Sequence, residues 1–448
     1  MKLDTTMYRV DNFKGMVTPR EQGSVGVFVS CGNRFEVTMN EHVQGAGGAP
    51  LFNPLSPDFI RDPYPHYDRL RTIDPIHVTP FGQFVASRHA DVSLVMRDKR
   101  FGKDFVERSK RRYSDRIMDE PVFRSMSHWM LQADPPDHTR LRGLVVKAFT
   151  ARRVEDMRQR IQEIVDQAID AVIDRGHMDL IEDFAFRLPV TIICDMLGIP
   201  EDHREVFYKS SRDGGRLLDP VPLSKEEIAK GNAGNMMAQM YFQQLFELRR
   251  KTPGDDLITQ LVQAEEDGNK LSNEELTANI ILLFGAGHET TVNLIGNGLL
   301  ALHRNPDQLA LLKARPELMV NAIEEFLRYD SSVQMTGRVA LEDIDDLGGK
   351  KIPKGETVLC LLGSANRDPA VYPDHPDRLD VVRQNVKPLS FGGGIHFCLG
   401  AQLARIEAEI AIATLLRRLP DLRIDDVENP KWRSTFVLRG LTELPASW

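Results

Sequence analysis

FGGGIHFCLG, Phe391–Gly400, packs four glycines, one histidine and one cysteine into ten residues. Directly behind it, LGAQLARIEAEIAIATLLRRL runs with helical spacing to Pro420, which puts Cys398 at the amino terminus of a helix. Free backbone N–H groups and the helix dipole favour an anionic sulfur there, and the thiolate is the reactive, metal-binding form of cysteine. Gly392, Gly393, Gly394 and Gly400 allow a tight turn and the close approach of something flat and bulky to the backbone. A metal held by one sulfur, with no other ligand nearby in sequence, fits a cofactor that brings its own ligands, such as haem. Two other readings compete. One is a nucleophilic cysteine with His396 as the adjacent base, although an extended loop would point that ring elsewhere. The other is a purely structural turn.

The rest of the composition narrows the field. The chain has 448 residues, long enough for a large core, and a formal net charge of −8, which gives no global attraction to nucleic acid or an anionic membrane. Apolar runs fall far short of a bilayer span, and none follows a basic amino terminus as a signal peptide does, so the expected location is cytoplasmic. Four widely spaced cysteines exclude a disulfide framework and form no paired zinc half-site. Cys194 in VTIICDMLGI and Cys360 in TVLCLLG read as buried hydrophobes.

Residues 1–50 stand apart. SVGVFVSCGNRFEVTM alternates apolar residues around Cys31-Gly32-Asn33 as a β-hairpin does, and QGAGGAP reads as a linker. Met39 is the expected true start, with the upstream part an extension. From Leu51 onward, one α-rich domain with small β-elements is expected over 51–448. PIHVTPFGQFVAS reads as a hairpin turning at Pro80-Phe81-Gly82, and Leu347-Gly348-Gly349 as a second turn. Ser272 and Glu275 form a capping box, after which no proline intervenes until Pro306. That predicts a helix of roughly thirty residues, ~45 Å long. NIILLFGAG is apolar on every side, which places this helix in the centre of the fold.

Three further segments carry polar groups in telling positions. GAGHETT, Gly285–Thr291, sets glycines and a Glu-Thr pair inside the apolar helix, where they cost stability unless partnered. Thr290 could hydrogen-bond across a widened turn, or the segment could be a kink with a satisfied polar pair. Val292 stands where a zinc protease needs its second histidine. EEFLRYD puts Glu325 and Arg328 one turn apart, as ordinary surface pairs also are. ADPPDHTRLR starts a helix after Pro136 with His138 and Arg142 on one face, suited to a shared anion or to a solvated basic surface.

Taken together and in this order, the segments resemble the cytochrome P450 family, the haem-thiolate monooxygenases, and its bacterial members in particular. The Cys loop matches at Phe391, Gly394, His396, Cys398 and Gly400; AGHETT, EEFLR, DPPDHTRLR and the terminal RGLTELP match the family's other motifs. The match runs from Leu51 to Trp448 and leaves residues 1–50 outside it.

The resemblance implies a mainly α fold with small β-sheets (α+β), with haem b between the long central helix and the Cys-loop helix. Cys398 would be the axial iron ligand, with Phe391 packed beneath the sulfur and Gly392 and Gly400 shaping the loop. His138, Arg142, Arg338 and His396 would hold the haem propionates. Ala286 and Gly287 would flank the haem, and Glu289 and Thr290 would relay protons to dioxygen. Glu325 and Arg328 would form a buried structural pair. Leu282, Val333, Met335, Val437 and Leu438 would face a lipophilic substrate such as a terpenoid, steroid, polyketide or fatty acyl group. The segment Met118–Met130 and the one near Leu217-Leu218 would cover it. Electrons would come from a separate ferredoxin and its NAD(P)H-dependent reductase, docked on a basic patch from Lys147, Ala151–Val154 and Arg405. A monomer is expected. A peroxide-driven peroxygenase and a non-catalytic haem sensor are the alternatives, the first weakened by the intact Glu289-Thr290 pair.

Overall fold

The structure, a computed structural model, describes residues 51–80, 82–204, 216–266 and 269–448. The expected hairpin of residues 24–39, the linker after it and Met39 lie outside the described residues. The chain divides after Leu51, and the architecture below is that of Phe52–Trp448.

From the amino end, strands β1 (Ile76–Val78) and β2 (Phe84–Ala86) form the expected antiparallel hairpin. Helix α1 (His89–Arg97), strand β3 (Phe101–Gly102), α2 (Pro121–Ser127), α3 (Asp137–Ala148), α4 (Arg158–Asp170) and α5 (Arg187–Leu197) follow. Then come α6 (Lys225–Lys251), α7 (Asn273–Arg304), α8 (Met319–Tyr329), β4 (Met335–Ala340), β5 (Thr357–Leu361) and α9 (Ala401–Arg418). The five strands join in the order β1-β2-β5-β4-β3, with only the β2–β5 pair parallel. A second hairpin turns at Gly348 and Gly349, as expected.

Helix α7 is the predicted central helix. Both halves of its capping box form: Ser272 Oγ accepts from the Glu275 N–H, and Glu275 accepts from the Ser272 N–H at 2.9 Å. Acidic residues in its first turn and His303 and Arg304 in its last complement the macrodipole. It packs against α2, α5, α6, α8 and α9, which explains why it is apolar all round. The helix stays α-helical through Gly285–Thr291, without a break at the glycines. Under the five-stranded sheet, Ile76, Val92, Met96, Val358 and Cys360 share one core. Cys194 and Cys360 are fully buried, and burial pushes each thiol up to about 12, as expected of structural cysteines.

Two buried carboxyls brace α8 and α9. Glu325 and Arg328 have fully buried side chains and meet through two contacts of 2.7 Å. Arg383 adds a third contact at 3.3 Å, and the remaining Arg328 donors reach the carbonyls of Asn366, Pro376 and Arg378. A fully buried charge pair is tolerable when every donor is used, and removing one partner leaves the other stranded.

Glu407 on α9 has no such countercharge. It is 1% exposed and hydrogen-bonded to Thr291 of α7, and burial raises its carboxyl to about 8. It is therefore protonated in the folded chain at neutral pH, whereas the unfolded chain ionises near 4.5. Stability from this group is complete below pH 4.5 and is lost as pH rises through 8. Glu407→Gln should abolish that component of the fall in Tm between these values. Parallel Tm–pH profiles for the two proteins would contradict a buried neutral Glu407.

Candidate functional site

The Cys loop is assembled from short turns. Leu389–Phe391 and Gly394–His396 form single 3-10 turns, with Gly392 (φ 73°) between them. Gly394 (φ 65°) sits so close to α1 that a Cβ there would lie 2.4 Å from the Met96 carbonyl oxygen. Its freedom therefore serves contact between two protein backbones, not the approach of a flat ligand. The Cys398 N–H donates to Phe391 O at 2.9 Å and closes the loop.

Helix α9 begins at Ala401 with Gly400 as N-cap, so Cys398 stands just ahead of the helix and not within its first turn. The Gly400 N–H still reaches the sulfur. Protein packed around the thiol raises its pKa, while that N–H, Arg142 and Arg405 lower it. Although surrounded in this way, Cys398 is exposed at its surface, and that exposure governs what can reach the sulfur.

Cationic side chains converge on this loop from three elements. From α3, Arg142 Nη2 donates to Phe397 O at 2.6 Å, and the His138 ring lies 4.4 Å from the His396 ring. From β4, Arg338 is 3% exposed and spends Nη1 on the Gly337 carbonyl at 3.0 Å. After β3, Lys103 is 4% exposed, with Nζ on Gly337 O at 3.1 Å. The Nε2 atoms of His138 and His396 are buried without a hydrogen-bond partner.

Burial, and after it the neighbouring basic groups, shifts these side chains toward their neutral forms. Burial, then Lys103, Arg338, His138 and Arg142, push His396 down to about 2. Burial, then Arg338 and Arg108, hold Lys103 well below the usual lysine range. Asp134 faces the group, but its oxygens already accept the N–H groups of Lys103 and Asp104 at 2.9 Å. Buried cations and two orphaned ring nitrogens beside an accessible thiol suit a bulky group with two carboxylates and a thiol-seeking metal. Haem has both, and these residues fit it. Among the described residues no cluster of three or more His, Cys, Asp or Glu is arranged around a metal.

On α7, Gly285, Ala286 and Gly287 are exposed although the helix is otherwise largely buried beyond its first turn. Thr290 Oγ1 donates to the Ala286 carbonyl at 2.9 Å, so its hydroxyl bonds within the turn behind it. Glu289 is buried. Leu282, Met335, Val437 and Leu438 are buried and Val333 is partly so. Val333 bridges Leu438, and the Gln334 N–H donates to Val437 O at 2.8 Å, which brings those two apolar segments together. Asp219 Oδ1 accepts the N–H groups of Phe436 and Val437, tying the segment after Leu217-Leu218 to the same turn. Asn279 of α7 clamps the end of α2, through the Met130 N–H and the His128 carbonyl, both at 2.9 Å.

Two expectations change. Arg405 is paired with Glu324 and lies 4.5 Å over the Phe391 ring, so it is a neutralised brace, not a free charge for docking. Arg153 is likewise paired, to Asp255 at 2.7 Å, and Arg152, though 92% exposed, lies 4.0 Å from Asp156; the Lys147 side chain lies outside the described residues. Lys103 and Glu407 were not among the residues expected to matter. Lys103 reaches the cation cluster only because β3 pairs with β4, a long-range register with no local sequence signal.

Comparisons with known proteins identify the family. The family model "Cytochrome P450" matches residues 87–314 and 312–439. Cytochrome P450 107B1 of Saccharopolyspora erythraea is 44% identical over 412 residues, covering 89% of this chain and 98% of that protein. The cytochrome P450 monooxygenase PikC of Streptomyces venezuelae is 42% identical over 424 residues, covering 92% and 97%. The crystal structure of the myxobacterial cytochrome P450 CYP267B1 with myristic acid superposes with a TM-score of 0.80 at 42% identity, covering 88% and 98%. With its exposed cysteine loop, buried cations and long central helix in this arrangement, the chain belongs to the cytochrome P450 family and is a haem-dependent monooxygenase.

Proposed function

We propose that the enzyme inserts one atom of O2 into a lipophilic small molecule by hydroxylation or epoxidation, with haem b as cofactor. The cation cluster with its two orphaned imidazole nitrogens, next to an exposed thiol, carries this reading. Cys398 holds the iron; His138, Arg142, Arg338 and His396, with Lys103 added, receive the two propionates. Thiolate-ligated haem supplies the O2-cleaving chemistry when bound.

The chain's own residues do the rest. The Thr290 hydroxyl, now committed to Ala286 O, turns outward to donate its proton, and Glu289 restores it. Ala286 and Gly287, exposed on α7, keep that face free of bulk. Leu282, Val333, Met335, Val437 and Leu438 exclude water and orient an apolar substrate. A relative whose structure holds myristic acid supports that choice of substrate class.

Electrons arrive from a ferredoxin and its NAD(P)H-dependent reductase, docking beside the exposed Ile395 and Phe397, with Arg152, 92% exposed and 4.0 Å from Asp156, as the most accessible positive charge of the expected patch. Because Arg405 and Arg153 are paired, the contact leans more on apolar surface than the sequence implied. Among the described residues no helix is long and apolar enough to cross a membrane.

Reduced ferredoxin should drive turnover of a lipophilic substrate, whereas hydrogen peroxide alone should not; the opposite pattern would assign a peroxygenase. In the same assay Thr290→Ala should keep its haem but divert most electrons to peroxide, and unchanged coupling would remove Thr290 from the proton path. Cys398→Ser should eliminate the thiolate-type absorption of the reduced carbon monoxide complex. Its retention would mean that another group holds the iron.

A further inference from the structure

Helix α6 has an outer face that the site does not use. Its inner side, with Asn235, Tyr241, Phe242, Leu245 and Phe246, is buried, and the helix packs against α2 and α7. On the other side Glu226, Lys230, Ala233, Met237, Met240, Gln244, Glu247 and Lys251 are all exposed. They recur at alternating intervals of four and three residues, the spacing of a helix–helix seam. Met237 and Met240 are 46% and 50% exposed, and Met236 beside them 52%. No charged residue interrupts the helix between Lys230 and Glu247.

The order of residue types along this stripe reads in reverse with complementary sign. If a second copy lies antiparallel across a two-fold axis between Met237 and Met240, those two methionines face each other. Ala233 then meets Gln244, Lys230 meets Glu247, and Glu226 meets Lys251. Both ends are matched by opposite charge, and the apolar centre is covered. A parallel pairing would instead set Glu226 on Glu226 and Lys230 on Lys230, which like-charge repulsion disfavours. A lipid surface fits less well, because Glu226 and Glu247 lie in the same stripe as the methionines. Lys230 is already engaged within its own chain, so the charge matching rests on Glu226 and Lys251, which have no ion-pair partner among the described residues.

We infer that the protein self-associates into a two-fold dimer through antiparallel pairing of α6, with Met237 and Met240 at its centre. This departs from the monomer implied by family resemblance. The seam runs about 38 Å at 1.5 Å per residue, and the dimer has an isologous interface in which each charge pair occurs twice.

Sedimentation equilibrium of the full, haem-loaded chain tests this over a micromolar-to-millimolar range. The native protein should convert from monomer to dimer with concentration, and Met237→Glu should leave it monomeric. Glu226→Lys and Lys251→Glu should each weaken the dimer roughly three- to tenfold, because both symmetry-related pairs become repulsive. The double variant Glu226→Lys/Lys251→Glu should recover the native dissociation constant. All four positions are exposed, and an unchanged carbonyl spectrum and far-UV circular dichroism confirm folding of each variant. A chain monomeric throughout the range would overturn the proposal. So would a dimer indifferent to Met237→Glu, or single reversals that the double variant fails to rescue. Binding of a monomeric chain to anionic vesicles, lost in Met237→Glu, would assign the face to lipid and equally refute the dimer.

Discussion

Lys103, His138, Arg142, Arg338 and His396 are brought together around the Cys loop from four parts of the chain, and burial, then their mutual proximity, disfavours the charged forms of Lys103, His138 and His396. Clustering like charges away from water is among the more costly arrangements a protein can hold. Burial first, and the neighbouring basic groups second, push His396 down to about 2 and hold Lys103 well below the usual lysine range. Asp134 is engaged by two backbone N–H groups and offsets only part of that cost. On the function proposed above, the arrangement would become favourable when two carboxylates enter it beside a metal held by the Cys398 sulfur.

Much of the scaffold follows from holding that cluster in place. Pairing of β3 with β4 delivers Lys103 and Arg338 to the same side, and α3 brings His138 and Arg142 against the loop. Gly394 lets the loop press on the α1 backbone, which fixes where His396 stands. Below it, α9 rests on α8 and α7, where the two contacts between Glu325 and Arg328 and the neutral Glu407 leave no free charge in the seam. Buried charges in this seam thus have a partner or a suppressed charge, whereas beside the Cys loop the Nε2 atoms of His138 and His396 have no partner.

What could be read in the sequence was local. The Ser272–Glu275 capping box and the proline-free run behind it defined α7 to within a residue at either end, because caps and breakers act over one turn. EEFLR gave the right pair, yet nothing in its spacing separates a surface ion pair from one whose side chains are fully buried; only the surrounding carbonyls do. Arg405 looked like a docking charge because its partner Glu324 is eighty-one residues away. Lys103 and Glu407 were invisible for the same reason: their significance comes from strand register and helix contact, not from neighbours in sequence. The glycines of the Cys loop were noticed for the right loop, but at Gly394 for a different cause. The stripe on α6 was present in the sequence all along, but only exposure distinguishes it from an ordinary core-facing seam.

The central claim is that the buried cations exist to receive two carboxylates. Reconstitution of the cofactor-free protein with haem and with haem dimethyl ester, which differ only in those carboxylates, tests it directly. Haem should bind at least about thirtyfold more tightly than the diester, since charge-assisted contacts to buried cations are lost together. Equal affinity for the two would show that the cluster does not hold the propionates.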